Sequence, residues 1–298
     1  MTNMALATRA LGITRELALV LPRAASGITE STGWSAASPR GMRQFGEVVL
    51  DELVLTSFSL LAGDVTEAVR PLSACIAAAD ELSALGIDRA HADPEPLRVY
   101  NIRRRRIGTV AYERLTFEHD PALPGSLEAA GLGGPARAVV HLCRHRDGPR
   151  PWLVWTHGAG QGRADDLLMS RAGRIQRKLG INVAVPVQPG HGIRRRHWPP
   201  YPDIDPLTNV AGMMRSVSEI RAVVRWLQPQ STVVVVSGVS MGSPVAALVS
   251  HLEKRVDGVA LYTPILGLNA MIALHLARWG PSRHGVRELL QAPVVSAL

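Results

Sequence analysis

Only two cysteines, Cys75 and Cys143, occur in 298 residues. That scarcity excludes a disulfide framework and makes a reducing, cytoplasmic compartment the expected location. Long apolar runs are also missing: none approaches the ~18 residues that a membrane-spanning helix needs. The longest candidates, residues 48–63 and 233–239, are broken by Asp51 and Glu52 or are too short. The short apolar stretch at 17–21 falls below the ~7–15 residues of a signal-peptide core. Lysine is nearly absent. Of 33 Lys+Arg only Lys178 and Lys254 are lysines, so the net charge of +8 is carried by arginine. Aromatics make up 4% of the chain, too few to interleave with the arginine runs at 103–106 and 194–196 as a nucleic-acid site would require. Those runs therefore read as solvated surface, and no nucleic-acid partner is expected.

What is present is a core. Hydrophobic residues reach 46% and charged residues 19%, which excludes wholesale disorder and allows one large domain or two small ones. Residues 1–104 read as a helical N-terminal extension. Asp64 with Glu67 forms an acidic capping box, after which Val65, Val69, Leu72, Ile76, Ala79 and Leu82 recur at helical spacing. Pro71 is expected to kink this helix, and Gly86 to stop it. The texture turns strand-like around Arg106. Residues 107–117 and 136–143 are expected strands, separated by a Pro- and Gly-rich stretch.

From Pro151 the chain alternates regularly. Strands are expected at 152–156, 181–187, 232–237 and 256–262, and helices at 165–179, 207–227 and 244–252. Val-rich strands separated by amphipathic helices predict an α/β fold with a mostly parallel sheet covered on both faces. Residues 105–298 are read as this core.

The chemistry sits in Gly238-Val239-Ser240-Met241-Gly242, a G-x-S-x-G placed after a valine strand and before a helix. Such a turn strains its middle residue, so the flanking positions must be small, and the serine hydroxyl is left exposed. A second element, His157-Gly158-Ala159-Gly160-Gln161-Gly162, is a Gly-rich loop between a strand and a helix. The competing dinucleotide fingerprint fails, because Arg163 stands where its third glycine belongs and no acidic residue follows the next strand. No Cys/His cluster suggests a metal, so neither cofactor nor metal is expected.

These residues resemble the α/β-hydrolase superfamily. The matching pieces are His157-Gly158, then Gln188-Pro189-Gly190-His191-Gly192, then Gly238-Val239-Ser240-Met241-Gly242, in the family's order over residues 105–298. Many relatives carry an Asp where Gln188 stands. The resemblance implies a serine hydrolase acting on a small ester or thioester substrate. Ser240 would be the nucleophile, the backbone N–H groups of Ala159 and Met241 the oxyanion donors, and His191 a loop residue rather than the base. It also implies an acid and a histidine after Ser240. His251, Glu253 and Asp257 are expected at the far end of the following helix, away from the nucleophile. His284 is the histidine offered by a plausible loop, and His197 could line a pocket. The last strands of the sheet are expected to be missing, which leaves an open edge for the N-terminal helices or a homo-oligomer to cover. The alternative reading is a catalytically silent hydrolase-fold protein that binds or oligomerises.

Overall fold

A computed structural model describes residues 17–29, 38–61, 70–145, 147–276 and 292, 293 and 295. The chain divides into two compact units, one formed by residues 1–68 and 278–283 and the other by the remainder. In the first, helices α1 (Val20–Thr29) and α2 (Pro39–Leu61) pack on each other. The Ser38 hydroxyl accepts the Gly41 N–H at 2.9 Å, satisfying one of the free donors at the start of α2.

The second unit opens with α3 (Leu72–Ala90). Pro71 does not kink this helix but precedes it, with an extended ψ of 151°. Proline lacks the N–H that a helix interior needs, whereas the first turn leaves that donor unused. The capping-box residues Asp64 and Glu67 lie outside the described residues. Gly86, at φ 67°, interrupts α3 rather than ending it, and the helix resumes to Ala90. The Glu81 carboxylate accepts the Gly125 and Ser126 N–H groups at 3.0 and 2.8 Å, anchoring the start of the short helix α4 (Gly125–Ala129).

Seven strands form one mixed sheet: β1 (Val99–Ile107), β2 (Val110–His119), β3 (Ala136–Cys143), β4 (Arg150–Thr156), β5 (Asn182–Val187), β6 (Ser231–Val239) and β7 (Gly258–Tyr262). Their order is β1-β2-β3-β5-β4-β6-β7. The first three strands are antiparallel to their neighbours, and the last four are mutually parallel. The α/β class read from the sequence is met. The sheet begins at Val99, upstream of the expected boundary at 105. What reads as a single strand at 107–117 is a hairpin turning at Gly108 (φ 52°), with Ile107 opposite Val110. The arginine run in β1 conceals that strand, because four successive cations show no alternation between a buried and an exposed face.

Helices cover both faces. On one lie α5 (Asp166–Met169) and α6 (Ala172–Leu179), split by Arg171 in the left-handed region (φ 56°) where the sequence predicts a single helix. Leu167, Ala172, Cys143, Val183 and Val185 form the core there. On the other face lie α7 (Pro206–Leu227) and α8 (Gly242–Leu252), packed over Phe117, Val140, Trp152, Val154, Val234 and Val236. The last described helix is α9 (Leu268–Leu276). Among the described residues, no helix is long and apolar enough to cross a membrane.

Helix α7 is buried almost all round, including the ionic groups Arg215, Glu219 and Arg221. Arg194, from the second arginine run, is only 2% exposed and meets Glu219 of α7 through two bonds of 2.7 Å, with a third to the Val187 carbonyl. It is therefore not part of a solvated face, unlike the exposed Arg195 and Arg196. A planar guanidinium opposite a carboxylate satisfies both charges geometrically, but each was taken out of water to get there. Glu219→Ala is expected to lower the stability to urea by about 3–5 kcal/mol. The double change Arg194→Met, Glu219→Leu is expected to restore part of it, since the Arg194 charge that the single change leaves unpaired is removed, while the buried Arg215 still loses the charge of Glu219.

Candidate active site

Strand β6 ends at Val239, helix α8 begins at Gly242, and Ser240 occupies the turn at φ 52°. A side chain held at positive φ costs roughly 1–2 kcal/mol. The surroundings hold it there. The Ser240 N–H donates to the Tyr262 carbonyl of β7 at 2.9 Å, and the Ser240 carbonyl accepts the Ser243 N–H at 2.9 Å. The Ser243 hydroxyl lies 2.9 Å from both the Gly238 and Tyr262 carbonyl oxygens and ties the start of α8 to both strands.

Both flanking glycines are sterically required. A β-carbon on Gly238 would fall 2.7 Å from the Ser243 Cα, and one on Gly242 would fall 2.6 Å from the His157 carbonyl oxygen. Gly158 completes the contact from β4, since its β-carbon would lie 3.3 Å from both the Ser240 Cβ and the Val239 carbonyl oxygen. The packing brings the loop carrying Ala159 against the turn carrying Ser240 and Met241. Ala159 and Met241 also share an apolar cluster with Tyr201, Leu268, Trp198 and Met213.

Three polar side chains fix the Gly-rich loop. Gln161 accepts the Gly158 N–H at 2.7 Å through Oε1. The buried Asp166 Oδ2 accepts the Gly162 and Arg163 N–H groups at 2.5 and 3.0 Å. Gln188 donates from Nε2 to the His157 carbonyl at 2.5 Å, while its own N–H donates to His157 Nε2 at 3.0 Å. An ionised carboxylate at position 188 could not donate to that carbonyl, so this bond depends on the amide of Gln188. Sequence reasoning missed the positioning roles of Gln161, Asp166 and Gln188. The available signal was Gln188 opening the Pro-Gly-His-Gly loop.

His157 is fully committed. Its Nδ1 donates to the Gly158 carbonyl at 2.8 Å and its Nε2 accepts from Gln188, so the ring is neutral with its proton on Nδ1. Burial, with His191 nearby, pushes its pKa down to about 3. The His191 ring lies 5.0 Å from that of His157, with Nδ1 2.8 Å from the Pro189 carbonyl. Burial lowers its pKa to about 4.

The other expected residues lie elsewhere. Asp257 accepts the Val234 N–H at 2.7 Å, at the end of β6 opposite Ser240. Glu253 is buried against Arg225 at 2.6 Å, and His251 lies 3.3 Å from Asp88. His197 is exposed. At the end of β7 stand Thr263, at φ 45°, and Pro264. His284 lies outside the described residues. Among the described residues, no group of His, Cys, Asp and Glu is arranged to hold a metal ion.

No family model matches the chain. Over 208 residues it is 32% identical to an uncharacterized protein of Mycobacterium tuberculosis, found in strains CDC 1551 / Oshkosh and ATCC 25618 / H37Rv, covering 66% of this chain and 50% of that protein. The chain thus spans about half the length of the curated relatives it matches. Similar solved structures include acetyl xylan esterase 1 from Thermoanaerobacterium sp. JW/SL YS485, with 16% identity and a TM-score of 0.44, covering 76% of this chain and 71% of that one. An acetyl xylan esterase from Paenibacillus sp. R4 has 15% identity and a TM-score of 0.43, covering 82% and 78%. The Pyrococcus furiosus esterase Pf2001 has 18% identity and a TM-score of 0.37, covering 49% and 55%.

Two outcomes follow from this geometry. Ser240→Gly relieves the positive φ and is expected to raise stability by up to about 1 kcal/mol in thermal unfolding. His157 contributes a pH dependence, alongside His91, His141 and His191, whose pKa values burial also lowers. With a folded pKa of about 3 against an ordinary 6.5, it stays neutral in the fold and takes up a proton on unfolding. Its contribution to stability is therefore full above pH 6.5 and is lost as the pH drops towards 3. His157→Asn should flatten the urea-stability curve by about 1.4 kcal/mol per pH unit in the acid range, whatever its cost at neutral pH.

Proposed function

We propose that this chain is a serine hydrolase of α/β-hydrolase type, transferring an acyl group from an ester or thioester through Ser240. The observation that carries the proposal is Ser240 at positive φ between a valine strand and a helix, packed against the Gly-rich loop. In this reading the turn is a nucleophile elbow. The Ser240 Oγ attacks the acyl carbonyl, and its proton passes to a base. The carbonyl oxygen becomes an oxyanion that accepts hydrogen bonds from the Ala159 and Met241 N–H groups. Collapse expels the alcohol or thiol with a proton and leaves an acyl-serine, which water cleaves.

Preorganised donors of this kind are worth about 3–4 kcal/mol each to the barrier, because they need no rearrangement as charge develops. The N-terminal end of α8 adds its positive dipole end. The base is not His157, whose two nitrogens are both occupied. His284 is the candidate that the sequence offers.

The second reading is a silent hydrolase-fold protein that binds or oligomerises: of the candidate residues after Ser240, His251, Glu253 and Asp257 are engaged elsewhere, with Asp88, Arg225 and the Val234 N–H. The two part company on treatment with a fluorophosphonate, which captures only an activated serine. Labelling of the wild-type chain, abolished in Ser240→Ala, is expected. A folded wild-type chain that stays unlabelled contradicts the enzyme reading and leaves the silent one.

A further inference from the structure

Strand β1 is an outer strand of the sheet, bonded to β2 on one side. Arg103, Arg104, Arg105 and Arg106 are all exposed along it. Strand alternation sends Arg103 and Arg105 to one face and Arg104 and Arg106 to the other. Arg103 faces Arg114 of β2, a second cation, Arg105 and Arg106 face Tyr112 and Ala111, and Arg104 faces Glu113. Among the described residues, none of the four forms an ion pair.

The hairpin carries two acids. Glu113 is held by Arg144 at 2.7 Å, and Glu118 faces Arg137 of β3. Arg137 in turn lies over the ring of Tyr100, 5.5 Å from its centre. At the start of the strand the side chains are apolar and also exposed: Val99 by 41%, Tyr100 by 74% and Ile102 by 38%.

We infer that the β1 edge is a docking edge for an anionic lipid surface. Cations on both faces of an outer strand meet a plane that approaches edge-on, and phosphate headgroups supply the opposite charge. Val99, Tyr100 and Ile102 are what distinguish this partner from nucleic acid. A phosphodiester backbone offers nothing to valine and isoleucine, whereas the boundary between headgroups and acyl chains accepts apolar side chains and favours tyrosine. The inference does not depend on whether Ser240 is acylated.

The test is flotation of the full chain with phosphatidylcholine vesicles, with and without phosphatidylglycerol, at low and high salt. Binding should require phosphatidylglycerol and weaken with salt. The double change Arg103→Gln, Arg105→Gln should reduce affinity about tenfold or more. Tyr100→Ser should remove the part of the binding that survives high salt. The control Lys254→Gln, Arg255→Gln, beyond α8, should leave binding unchanged. The inference is overturned if phosphatidylglycerol adds nothing or if the control variant loses as much as the edge variant. It is also overturned if duplex DNA binds as tightly and with the same sensitivity to the edge substitutions.

Discussion

At the C-terminal ends of β4 and β6 the backbone of one strand touches the turn that follows the other. The Thr156 and His157 carbonyls lie against Gly242, in space that any β-carbon would fill. Much of the site follows from that approach. It brings Gly158 onto Ser240, sets the Ala159 loop beside Met241, and leaves Ser240 nowhere to relax from its left-handed conformation. The strain is sustained because it is spread over backbone hydrogen bonds to β7 and over the start of a helix whose Val245, Ala246 and Val249 are buried in the core. Turn geometry and core packing here act as one constraint.

Around this contact the protein uses buried polar groups as struts. Gln188 donates to both the carbonyl and the ring of His157, Asp166 gathers two N–H groups of the Gly-rich loop, and Arg194 ties the following loop to α7 through Glu219. Each strut is satisfied by geometry and costly to break singly. The same burial holds His157 and His191 neutral, so low pH acts on the loops beside the serine as well as on global stability.

The parallel half of the sheet was legible in the sequence because its strands are Val-rich runs and its helices amphipathic. The strained turn at Ser240 was legible because glycines on either side of a serine, between strand and helix, have a steric meaning. Other features were hidden where charge and backbone conformation overrode pattern. β1 was masked by four arginines, and the break at Arg171 by a residue with no turn signature. The burial of Arg194 depends on Glu219, 25 residues away. Pro71 was read as a kink because the helical periodicity continued on both sides of it, yet the helix starts after it. The donor role of Gln188 to the His157 carbonyl was hidden because the two residues stand 31 positions apart.

The central claim is that this packing aims Ser240 at an oxyanion site formed by two backbone N–H groups. A crystal structure of the chain treated with an alkyl phosphonate addresses it directly. The account predicts phosphorus bonded to Ser240 Oγ and a phosphoryl oxygen about 2.7–3.1 Å from the nitrogens of both Ala159 and Met241. An unmodified Ser240 in the folded, treated protein, or an adduct whose oxygen faces solvent away from those two nitrogens, would contradict it.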